Sequence, residues 1–153
     1  MRRKAAACNR RSSCPNNPAD YSRQVLGVDP TPQQEAIWAA ALRPPYQVLV
    51  PSANTVGKPY CGAAFASWFY DRYDPSTTLI TAPTKDHLRD AMFRYLRTIR
   101  RDTSGFAPKD TRLEGSPDHY VHGFTTNNPD AFQGRHDTHL TLIFDEATGV
   151  DAE

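Results

Sequence analysis

Short apolar runs alternate along this chain with stretches whose apolar residues recur at helical spacing. The runs near 46–50, 77–81, 120–125 and 139–144 are each a handful of residues long and rich in β-branched and aromatic side chains. Continuous runs of that kind predict strands buried on both faces of a largely parallel sheet. Between them, Pro32 to Leu42 reads as a helix, and Cys61 to Tyr73 reads as another, rich in Ala with Phe65, Trp68 and Phe69 at helical spacing. A third helix, from about Asp86 to Arg101, carries the stripe Leu88, Met92, Tyr95, Leu96 and Ile99 and leaves Arg89, Arg94, Arg97, Arg100 and Arg101 on its outer face. Thr103 to Asp118 is polar and punctuated by Gly105, Pro108, Gly115 and Pro117, which predicts a long loop. Strands alternating with helices predict an α/β fold, and right-handed crossovers would place helices over both faces of the sheet.

Composition changes this picture mainly at the amino end. Residues 1–23 hold six Arg or Lys against one Asp and almost no large apolar side chain, the pattern of a disordered basic arm. Over the whole chain the formal charge is only +1, so any attraction to nucleic acid has to be local. Cys8, Cys14 and Cys61 form no paired framework, which fits a reducing cytoplasm. No run is long enough for a secretory h-region or a membrane span, and no internal repeat is present.

The candidate chemistry begins after the first apolar run. Residues 50–60, Val-Pro-Ser-Ala-Asn-Thr-Val-Gly-Lys-Pro-Tyr, nearly spell the phosphate-gripping pattern G-x-x-x-x-G-K-[ST] between a strand and a helix. Ser52 stands at the first glycine, followed by Ala53, Asn54, Thr55 and Val56, and Gly57 and Lys58 match. In such a loop, backbone N–H groups and the helix N-terminus face the phosphates while the lysine ammonium meets the β- and γ-phosphate charge. Pro59 occupies the hydroxyl position, supplying neither a Mg²⁺ ligand nor an N–H. It is also expected to push Lys58 out of the helical region and misaim it.

An acidic pair follows the last apolar run. At the carboxyl edge of the sheet Asp145 would hold Mg²⁺ through water and Glu146 would orient and deprotonate the attacking water. Thr31 reads as a helix N-cap with Pro32 at the first helical position and Gln34 closing a capping box. The same stretch, Pro30 to Gln34, resembles the adenine-reading glutamine motif of helicase-like ATPases, with Gln34 as the reader. The arginine-rich helix fits either a nucleic-acid backbone or a solvated face. His119 and His122, like His136 and His139, are three apart in extended chain, so each pair faces opposite sides rather than one metal.

Taken in order, TPQQ, SANTVGK, TAPTKDH, Ala131 to His136 and LIFDEATGV resemble the ATPase domain of a tailed-phage terminase large subunit, over about Asp20 to Glu153. The resemblance implies a P-loop ATPase sheet using ATP and Mg²⁺ to translocate double-stranded DNA. It further implies the terminase small subunit and the portal protein as partners, a homo-oligomeric ring, and a bacterial host cytoplasm. Residues 24–153 would then be a partial ATPase domain, incomplete at its carboxyl end, with the nuclease domain absent. Pro59 and the missing strands predict weak or absent turnover, an unpaired edge beside the Asp145 strand and an uncovered apolar face. Two other readings stay open: a helicase-like ATPase of another kind, and a non-catalytic remnant that binds DNA or a partner.

Overall fold

A computed structural model of the chain describes residues 13–51, 57–103, 106–125 and 137–145. Within them, five α-helices pack against a four-stranded mixed sheet, an α/β architecture. The strands are β1 (Thr77–Ala82), β2 (Arg112–Ser116), β3 (His119–Thr125) and β4 (Leu140–Phe144), laid side by side in the order β2-β3-β1-β4. β1 pairs in parallel with both β3 and β4, and β2 adds to β3 antiparallel. All six residues of β1 are buried, as a central strand requires.

Three of the four expected strands are present. The fourth, Tyr46 to Val50, is not: it runs unpaired and largely exposed, with Leu49 80% accessible. Its chain direction is set by a turn in which the Tyr46 N–H donates to Arg43 O at 2.7 Å with Tyr46 at φ 59, and among the described residues no strand pairs with it. Conversely β2 forms inside the stretch expected to be a long loop. Leu113 is its one buried side chain, too little signal for an apolar pattern, yet pairing with β3 satisfies its backbone.

At the amino end, the boundary expected at residue 23 falls inside packed structure. Helix α1 (Pro18–Tyr21) starts with Asn17 Oδ1 accepting from Asp20 N, and runs into a single π-helical turn, Ser22–Leu26, that ends at Gly27 in the left-handed region. Tyr21 is fully buried and Cys14 and Val25 nearly so, forming a cluster with Trp68 and Phe69. One fully buried aromatic anchors what composition alone reads as a basic arm.

Helix α2 (Pro32–Ala41) carries the expected capping box, with both reciprocal Thr31–Gln34 bonds formed. Helix α3 (Lys58–Arg72) begins directly after Gly57, which sits at φ 65. Lys58 is thus the first helical residue and is not displaced by Pro59. The first turn has no preceding carbonyl for the proline ring to strike, and Gly57 takes up the change of direction. The expected long arginine helix is divided at Ala91 (φ −101, ψ −92) into α4 (Lys85–Asp90) and α5 (Met92–Thr103).

Helices α3 and α5 cover one face of the sheet. Ile80, Val121, Leu113 and Ile143 on that face join Ala63, Ala64, Met92, Phe93 and Leu96 in the main core. Register puts Leu79, His122 and Leu142 on the opposite face, where Leu140, Leu142 and Phe144 are 39–48% accessible. Leu79 on that face is itself buried at 3%, so the exposure there belongs to the edge strand β4.

Candidate functional site

The connectivity of α3 decides which groups share an edge. Its 15 residues rise about 22 Å, close to the length of a six-residue strand plus its flanks, and only residues 73–76 separate it from β1. The helix therefore runs back along the sheet, ending at the amino edge of β1 and starting at its carboxyl edge. Gly62, one turn into α3, lies against Ile143 near the end of β4: a Cβ there would come within 3.6 Å of Ile143 Cγ2. Gly57 and Lys58 at the start of α3 and Asp145 after β4 thus belong to the same edge, where ligands bind in open parallel sheets.

Asp145 is held in two ways. Its backbone N–H donates to Thr81 O at 2.8 Å, extending the β1–β4 ladder one step past β4. Its Oδ2 lies 3.0 Å from His87 Nε2, and its side chain is only 11% exposed. His87 sits in the first turn of α4, where its backbone N–H donates to the N-cap Thr84 Oγ1 at 3.1 Å, and the next residue, Leu88, is buried in the core. Sequence reasoning did not single out His87. The available signal was positional: β1 and β4 are adjacent and parallel, and the chain turns from β1 straight into α4.

Gln34 lies in the first turn of α2. One turn further on, Trp38 is buried and its Nε1 donates to Cys61 O at 3.2 Å, docking α2 onto the beginning of α3. The Gln34 Oε1 accepts from Thr31 N at 3.0 Å, so the carbonyl half of its amide serves the cap. Burial pushes the Cys61 thiol up to about 11, so at neutral pH this first turn holds a thiol and no extra negative charge. Ser52, Ala53, Asn54, Thr55, Val56 and Glu146 lie outside the described residues, as do Arg135 and His136.

The arginines expected on an open helix face are mostly engaged. Arg100 is 3% exposed and is bonded to Asp71 and Ser67 over the Tyr70 ring. Arg97 donates to Asp110 O and Arg89 O, and Arg89 pairs with Asp86 and Asp90. Arg100 is therefore part of the core instead of the surface. His119 and His122 diverge as expected: His119 stacks on Tyr70 and meets Ser76 through Nδ1, whereas His122 meets Arg112.

Chemically, this edge combines a lysine at a helix N-terminus, which suits phosphate, with a nearly buried carboxylate. No group of three His, Cys, Asp or Glu side chains among the described residues makes a protein-only metal cage. Mg²⁺ does not need one, since it commonly binds through one or two carboxylates together with waters and substrate phosphates. No protein-family model matches the chain, and comparison with curated proteins and with solved structures finds no match either.

Proposed function

We propose that this chain is a P-loop ATPase core of the terminase large-subunit kind, built to bind Mg²⁺·ATP at the carboxyl edge of its sheet and impaired in hydrolysis by Pro59. The observation that carries the reading is the sharing of that edge by the start of α3 and Asp145. Lys58 offsets phosphate charge, assisted by the helix dipole and by first-turn N–H groups. Asp145 holds the cation, which supplies charge neutralisation on the phosphates, and Glu146 orients the attacking water. Gln34 reads the adenine from α2, which is docked to α3 through Trp38.

Phosphoryl transfer depends on preorganised charge around the leaving phosphate, so loss of the hydroxyl ligand at position 59 costs roughly 10²-fold in rate. In this reading the work done by hydrolysis is translocation of double-stranded DNA in the host cytoplasm, within a ring that also engages a small terminase subunit and a portal protein. A second reading, a non-catalytic module that binds a partner through its sheet, is favoured by the exposed row Leu140, Leu142 and Phe144. Steady-state ATPase rates for the chain and for Pro59→Thr separate the two. A near-silent parent and an active variant support the ATPase reading, and equally silent proteins with no nucleotide affinity reject it.

A further inference from the structure

We infer that His87 is the positioning residue for Asp145, fixing the carboxylate at the edge where it meets a phosphate-bound divalent cation. This rests on the ATP-binding reading above and adds to it a role for His87, the last residue of the TAPTKDH stretch. The carboxylate is more enclosed than the surface acids that pair with Arg89. Asp145 is 11% exposed, whereas Asp86 and Asp90, which serve Arg89, are 80% and 66% exposed. Both partners also have fixed backbones: Asp145 through Thr81 O, His87 through Thr84 and the burial of Leu88.

The chemistry of the donor fits the role. An imidazole N–H can hold one carboxylate oxygen without cancelling its charge, leaving the other oxygen to act as ligand, whereas an arginine in the same place would neutralise it. Hydrogen-bond partners of metal-binding side chains restrict their orientation, and removing one typically lowers metal affinity by about 10- to 100-fold. A purely structural clip between α4 and β4 would instead affect folding stability and leave metal dependence alone.

Equilibrium titration with a fluorescent ATP analogue, in Mg²⁺ and in EDTA, tests this on the whole chain. His87→Ala is expected to lose about 10-fold or more of the Mg²⁺-dependent gain in affinity while its affinity in EDTA stays within twofold of the parent. His87→Gln, whose amide N–H can reach the same oxygen, is expected to recover most of that gain. Should His87→Ala melt at the assay temperature, His87→Gln carries the test, and its falling to the level of Asp145→Asn overturns the inference. If His87→Ala keeps the full Mg²⁺ gain while Asp145→Asn loses it, the role of His87 is rejected and the ATP reading stands. A parent that shows no Mg²⁺-dependent nucleotide binding rejects both.

Discussion

Tyr21 donates its hydroxyl to Asp71 Oδ2 at 2.6 Å, joining the first helix to α3 across fifty residues of sequence. Arg100 from α5 takes the other oxygen, Nη1 to Oδ1, also at 2.6 Å. One carboxylate therefore ties three helices together behind the sheet. Its partners are nearly buried, so breaking the set leaves a charge without compensation. Arg100→Ala is expected to cost about 3 kcal/mol and Tyr21→Phe about 2 kcal/mol in urea denaturation. A loss below about 1 kcal/mol for Arg100→Ala would show that the network is incidental.

Stability is also expected to fall in alkali. Burial raises the Cys61 thiol from 9.0 to about 11, and burial followed by the charge of Asp71 raises the Tyr21 phenol above its ordinary 10.0. Both groups keep their protons longer when folded, so their contribution is complete below pH 9. The Cys61 part is lost between pH 9 and about 11, and Tyr21 adds to the fall from pH 10 upward. Each group steepens the decline by at most about 1.4 kcal/mol per pH unit. Denaturation midpoints from pH 8 to 11 for the parent and Cys61→Ala check this: the variant should fall less steeply than the parent between pH 9 and 10, and equal slopes there would be the wrong outcome.

Two glycines should respond differently to alanine. A Cβ at Gly123 would come within 2.5 Å of Cε2 in the fully buried Phe93 ring and 3.2 Å of Thr111. A Cβ at Gly62 would instead meet the flexible tip of Met92, at 2.7 Å from its Cε. Gly123→Ala is expected to destabilise by about 1–3 kcal/mol through overpacking. For Gly62→Ala, Met92 can shift and the helix interior gains up to about 1 kcal/mol of propensity, so the net change is near zero. Thermal melts of the two variants rank them, and equal losses would contradict the packing described.

Gln34 has a structural role and a proposed one, and a single substitution divides them. Glutamate at this position still accepts from Thr31 N, so Gln34→Glu should leave folding stability unchanged within about 0.5 kcal/mol. It removes the amide N–H donor that would meet the purine N7, so ATP affinity should fall several-fold. Competition titrations read this directly; an unchanged ATP affinity would remove Gln34 from the adenine site.

The outer face of β4 makes a prediction about solubility. Leu142 is 42% exposed between Leu140 and Phe144, and among the described residues β4 pairs only with β1. Exposed edges of this kind recruit further strands. Leu142→Glu should lower concentration-dependent light scattering several-fold with little change in melting temperature. Unchanged scattering would place the association elsewhere.

What could be read from the sequence divides along a physical line. The strands β1, β3 and β4 and the helices α2 and α3 were legible because their apolar residues form the short runs and helical spacings that packing imposes. The Thr31–Gln34 cap was legible because its chemistry is local. β2 was hidden because an edge strand needs one buried residue, Leu113, and backbone pairing does the rest. Tyr46 to Val50 misled for the opposite reason: an apolar run predicts a strand only when another strand lies alongside it. Arg100 looked like surface charge because its partner Asp71 sits on another helix, and the His87–Asp145 contact was invisible for the same reason.

The central claim is that a nucleotide triphosphate binds between the start of α3 and the end of β4. Backbone hydrogen exchange with and without Mg²⁺·ATP tests it in one measurement, because protection reports each segment separately. The account predicts that Lys58, Tyr60 and Cys61 gain protection together with Asp145, while β2 is unchanged. No protection at either segment, or protection confined to α5, would contradict it.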